Sequence, residues 1–93
     1  MKVIYKYILK VLGLNLIQTY AEAEVLSAGV DPNGSLSVWM LVDTSKPAVD
    51  RGIIVVGTGW DLGNDWTNPR FIDTVNTGPY IWHVFDEGEQ EQE

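Results

Sequence analysis

The chain has no cysteine and a single histidine, His83, among 93 residues. Without cysteine there is no disulfide framework, no thiolate nucleophile and no Cys-based zinc site. With one histidine there is no multi-His metal centre. Bases are scarce: six Lys and Arg stand against thirteen Asp and Glu, a formal net charge of −7. A surface of that sign repels a phosphate backbone, so direct nucleic-acid binding is not expected. Long apolar runs are missing too, and no window approaches the ~18 residues of a membrane helix. What is present is a globular composition, 45% hydrophobic and 11% aromatic, in a length that holds one core.

Turn residues are dense and leave only short pieces between them. Asp31, Pro32, Asn33 and Gly34 form the clearest hairpin signal, flanked by expected strands at residues 23–30 and 35–42. In the second of these, Leu36, Val38, Met40 and Val42 alternate with Ser35, Ser37, Trp39 and Leu41, and the first set reads as a core face. Residues 53–56 are continuously apolar, as in a central strand covered on both faces. Further strands are expected at 71–75 and 80–85; in the latter Ile81, His83 and Phe85 share one face, and Tyr80, Trp82 and Val84 the other. The pattern predicts an all-β fold, a small antiparallel barrel or sandwich of about six to seven short strands.

Both ends of the chain are less plain. Lys2, Lys6 and Lys10 fall on one face of either a helix or a strand, and Val, Ile and Tyr content favours strands at residues 2–9 and 14–20. Ala21, Glu22 and Ala23 resemble a signal-peptide cleavage site, but Lys6 and Lys10 interrupt the apolar region such a signal requires. Residues 86–93 hold five acids and no base, so the body carries only −2. The expected organisation is one β domain at 1–85 and a disordered acidic tail at 86–93.

The most unusual segment is the loop around Gly57, Gly59, Trp60, Asp61, Gly63, Asn64, Asp65 and Trp66. It lacks the spacing and the lysine of a phosphate-binding loop. Its oxygen donors lack the alternation and terminal glutamate of an EF-hand, so no calcium or other metal is assigned. Trp60 and Trp66, costly to leave in water, either fold back over one end of the molecule or anchor a partner together with Asp61, Asn64 and Asp65. His83 could be oriented by Asp43, Asp61, Asp73 or Asp86, but no spacing selects one. No catalytic residue, cofactor or metal is therefore expected, and the protein reads as a non-enzyme.

Ile4, Tyr5, Lys6 and Tyr7 near the start, Ala23 to Ser27, Trp39 to Asp43, Gly57, Thr58 and Gly59, and a closing Trp82, His83, Val84 and Phe85 are shared motifs. On them, the chain resembles a family of small uncharacterised phage and prophage proteins of this length. Members often carry His after the second glycine where this chain has Trp60, and the acidic tail is an addition. The resemblance implies a context, a phage protein in the host cytoplasm, rather than an activity. The expected function is binding and inhibition of a host protein, a defence or nucleic-acid-handling factor such as a CRISPR effector, with the acidity mimicking nucleic acid. The alternative is a nucleotide-signal sponge, with Trp60, Trp66 and Tyr80 stacking on a base, Gly57 and Gly59 offering N–H groups, and Arg51 or Arg70 holding phosphate. Strands apolar on both faces also predict a homodimer, with Tyr5, Tyr7, Trp39, Leu41 and Trp82 at its interface.

Overall fold

The computed structural model describes residues 1–10, 12–64, 66 and 68–90. Seven antiparallel strands follow one another: β1 (Lys2–Ile8), β2 (Gly13–Tyr20), β3 (Glu24–Val30), β4 (Leu36–Asp43), β5 (Ala48–Gly57), β6 (Arg70–Asn76) and β7 (Ile81–Gln90). They form a three-stranded sheet in the order β1-β4-β3 and a four-stranded sheet in the order β2-β5-β7-β6. The molecule is a sandwich rather than a barrel: among the described residues no ladder joins the two sheets. Its shortest dimension is 18 Å, two layers deep.

The period-two reading of β4 holds. Val38, Met40 and Val42 are buried and meet Ile53 and Val55 of β5 and Val84 of β7 between the sheets. Burying each such side chain stabilises the fold by about 1.5–3 kcal/mol. The N-terminal segment is extended, as its β-branched and aromatic content demands. Val3, Tyr5 and Tyr7 pair in register with Val42, Met40 and Val38 and share their face, while Ile4 and Ile8 alternate with Lys2 and Lys6 outside. The Ala21, Glu22 and Ala23 segment is the β2–β3 turn, with Glu22 in the left-handed region and Ala23 buried. Residues 1–20 thus supply two strands of the body.

The Asp31 turn is tighter than its sequence signal. Asp31 closes it by accepting from the backbone N–H of Asn33 at 3.0 Å and of Ser35 at 2.8 Å. Gly34, at φ 86°, takes the left-handed position alone; Asn33 does not. The other carboxylate oxygen accepts from Lys6 Nζ at 2.7 Å, tying the turn to β1.

The tail is the main correction to the domain reading. Strand β7 continues through residues 86–90, pairing Asp86 with Ile53, Glu89 with Arg51 and Gln90 with Asp50 after a bulge at Glu87. Asp86 is buried and Glu89 accepts from the backbone N–H of Glu22 at 2.8 Å. Charge density suggested a solvated arm, but a buried guanidinium and open backbone positions on β5 hold these residues in the sheet. Residues 91–93 lie outside the described residues.

Candidate functional site

At one end of the sandwich three aromatic rings meet. Trp82 is on the inward face of β7, opposite Gly57 in the ladder. Tyr80 stacks on it with centroids 5.5 Å apart and planes at 24°, and Trp60 presents an edge contact at 5.6 Å and 81°. Such pairs contribute about 0.5–1.5 kcal/mol each beyond area burial. Backbone placement explains the cluster. The Trp60 N–H donates to Gly57 O at 3.2 Å, turning the chain back over β5, and Gly57 leaves the space in which the indole lies. Trp82 Nε1 donates to Thr77 Oγ1 at 2.9 Å, which fixes the β6–β7 hairpin against it. The rings are not all shielded: Trp60 is 49% and Tyr80 60% exposed.

The other loop residues divide. Trp66 is half-buried and donates from Nε1 to Leu62 O at 2.6 Å, closing its own loop. Asp61 accepts from the Gly63 N–H at 2.8 Å, an Asx turn, and Asn64 is exposed. Asp65 lies outside the described residues. Tyr80 and Trp82 belong to the same site as Trp60. The sequence pattern places Trp82 at a dimer interface; the register of Gly57 with Trp82 brings it to Trp60 instead.

The parts of a nucleotide site are not brought together. Arg51 is engaged inside the sandwich, donating to both oxygens of Asp86 and to Ala23 O. Arg70 pairs across the ladder with Asp86, while the aromatic end begins at the Val75–Trp82 pair, four to five residues along the strands. That separation is roughly 15 Å. Tyr80 stacks directly on Trp82 and Trp60 meets it at 81°, so these three rings do not form a pair of separated parallel plates for a base.

His83 faces outward on β7, with Nε2 2.7 Å from Thr58 Oγ1 and Nδ1 3.1 Å from Thr74 Oγ1. Two hydroxyls, not a carboxylate, hold the ring, so none of Asp43, Asp61, Asp73 or Asp86 orients it. Asp86 is bound to Arg51, Asp43 caps the turn at Ser45, and Asp73 reaches the Ala28 N–H at 3.5 Å. Among the described residues no three His, Asp or Glu gather at metal-binding range.

The five residues expected at a dimer interface do not share a surface. Tyr5 and Tyr7 point between the sheets, with Tyr7 Oη 2.9 Å from Thr19 Oγ1 of β2. Trp82 points inward from the second sheet. Trp39 and Leu41 lie on the outer face of the first, Trp39 resting 3.6 Å from where a side chain on Gly29 would begin. That face is also lined by Lys2, Lys6 and Glu24, so it is a mixed surface. Exposed apolar side chains stand on both outer faces: Ile4 is 59% and Ile8 45% exposed on the three-stranded sheet, Leu16 58% and Phe71 55% on the four-stranded one.

Comparison with curated proteins and with solved structures gives no match. A family model described as a domain of unknown function (DUF7352) matches residues 1–93, and the chain belongs to that family.

Proposed function

We propose that this protein is a non-enzymatic binding module that docks on another protein through its aromatic end, with Trp60 and Tyr80 as anchors. The observation that carries this reading is the Trp60, Trp82 and Tyr80 cluster, whose outer two rings are each about half exposed while the inner one is pinned. Aromatic side chains held rigid before binding lose little entropy on contact and supply much of the energy at protein interfaces. The net charge of −7 favours a basic partner surface and speeds encounter with it. A partner that itself handles nucleic acid has such a surface. Together with the resemblance to phage proteins, this supports inhibition of a host defence or nucleic-acid-handling factor in the host cytoplasm.

The test is affinity capture from host lysate by the wild type and by a Trp60→Ala, Tyr80→Ala double variant of equal thermal stability. The expected result is a defined host protein retained by the wild type, lost with the double variant, and released as salt rises. Equal retention by both proteins would overturn the assignment of the anchors.

A further inference from the structure

The middle of the outer face of the four-stranded sheet is apolar where a solvated sheet would be polar, with His83 and Thr74 beside Val56 on the same face. Leu14 and Leu16 of β2, Ile54 and Val56 of β5, Phe85 of β7 and Phe71 of β6 form one surface by register: Leu14 pairs with Ile54, Ile54 with Phe85, and Phe85 with Phe71. Ile54 is fully buried and Val56 nearly so, yet both stand on the side of β5 opposite Ile53 and Val55, which enter the core. They are the floor of this surface. Its walls are Leu14 and Leu16 on one side and the edge-to-face Phe71–Phe85 pair, 5.7 Å apart, on the other. An antiparallel sheet with one solvated face alternates apolar and polar residues; here β5 is apolar on both faces from Ile53 to Val56.

We infer that this face is a homodimer interface, covered by the same face of a second copy. Two observations select a second copy as the occupant. The first is area. Four strands about 4.8 Å apart and about eight residues long give the whole face, its polar positions included, a footprint of roughly 500 Å² per copy, so two copies stacked over its full extent bury about 1,000 Å². That reaches the lower bound for a specific protein–protein interface and is a self-complementary use of one patch about a two-fold axis. The three-stranded sheet offers a smaller face and carries Lys2, Lys6 and Glu24 on it.

The second is charge. Two copies that each carry −7 repel one another across most of their surfaces. The six apolar residues carry no charge; Asp50, which pairs with Gln90, and Glu87, the bulged residue beside Gly52, stand at one end of the sheet. A basic partner would find nothing here to attract it, whereas an acidic chain meets its own copy at least electrostatic cost on this face. Sheets of this kind stack about 10 Å apart, so the leucine and phenylalanine walls interdigitate. The aromatic end, on the inward side of β7, remains outside the interface, so dimerisation and the docking proposed above are independent.

Light scattering and sedimentation equilibrium of the wild type at tens of micromolar test the inference. The expected mass is about 21 kDa, twice the 10.4 kDa of the chain. Leu16→Glu and Phe71→Glu, each at a side chain more than half exposed in an edge strand, should retain the strand signal in circular dichroism. Each should raise the dimer dissociation constant by about a hundredfold or more. Ile4→Glu, on the outer face of the three-stranded sheet, should leave it unchanged. A wild-type mass near 10 kDa, a mass above a dimer, or a dimer that survives Leu16→Glu and Phe71→Glu while Ile4→Glu dissociates it would each overturn the inference.

Discussion

Arg51 and Asp86 clasp each other inside the sandwich: Nε and Nη2 donate to the two carboxylate oxygens at 2.9 and 2.7 Å, and Nη1 donates to Ala23 O at 2.7 Å. The side chains are 11% and 6% exposed. One guanidinium thereby joins the β2–β3 turn to β5 and β7. A buried pair of this kind adds little over an apolar replacement of both partners, but losing one partner strands a charge. Asp86→Ala should therefore cost about 3–5 kcal/mol of stability, read as a lower urea midpoint. A loss no larger than that of an exposed control such as Glu24→Ala would mean that water reaches Arg51 freely.

The same pair sets the acid limit of the fold. Burial pushes the Asp86 carboxyl up, but the hydrogen bonds from Arg51 and the Gly88 N–H, with the charges of Arg51 and Arg70, outweigh it and leave it below the usual carboxylate value. Asp31 is lowered by Lys6 and the Ser35 N–H, and Asp43 by the Ser45 hydroxyl, the Ser45 N–H and the N-terminal amine. Folded values below the unfolded ones mean that this stability is fully present above roughly pH 4–5 and is lost as pH falls through the folded values. Urea midpoints should be level from about pH 7 to 5 and drop below about pH 4, with a shallower drop in Asp86→Asn. A midpoint that rises on acidification would contradict the sign.

Removal of the acidic terminus separates structure from charge. Truncation after Phe85 deletes Asp86 and half of β7, so the protein should fail to fold or melt far below the wild type. Truncation after Gln90 removes only Glu91, Gln92 and Glu93, two of the five terminal acids, and should leave the melting temperature within a few degrees. If the longer truncation melts like the wild type, β7 beyond Phe85 contributes nothing to stability.

Much of this fold was legible because side-chain alternation is a local signal. The core face of β4, the inward row Val3, Tyr5 and Tyr7, and the two faces of β7 all follow from period two. Which rows of different strands combine into one surface is a matter of sheet order, and sheet order is not local. Tyr5, Tyr7, Trp39, Leu41 and Trp82 are all aromatic or apolar, but β1 and β4 lie in one sheet and β7 in the other, so the five scatter over three surfaces. Asp86 misled for a related reason. It looks like the first residue of an acidic run, and only its pairing with Ile53, 33 positions earlier, places it against Arg51. The aromatic end was half legible: Trp60 was marked by its loop, whereas its partner Trp82 required the ladder.

Asp31 should behave as a turn residue and a tether at once. Asp31→Ala removes the acceptor of the Asn33 and Ser35 N–H groups as well as the Lys6 contact. Asp31→Asn retains a carbonyl oxygen for the turn but can no longer pair with the Lys6 charge. The expected order of melting temperature is wild type, then Asp31→Asn, then Asp31→Ala, with Lys6→Met close to Asp31→Asn. If Asp31→Asn melts as low as Asp31→Ala, the Lys6 tether rather than the turn is what Asp31 contributes.

Gly57 controls the posture of Trp60. A Cβ at this position would lie 2.8 Å from Trp60 Cε2 and 2.9 Å from Nε1, closer than carbon atoms approach without displacement. The rest of Gly57 is ordinary strand backbone paired with Trp82, so alanine can be accommodated by the chain itself. The indole is the part free to give, because it is half exposed and belongs to a loop. Gly57→Ala should therefore cost about 1–3 kcal/mol, retain the sandwich, and swing Trp60 away from Trp82. Tryptophan emission should shift to the red, while the Tyr80–Trp82 stack persists. Partner capture should fall as it does in Trp60→Ala, although Trp60 is still present. Emission moved without a change in capture would separate the order of this ring from recognition and remove Trp60 as an anchor.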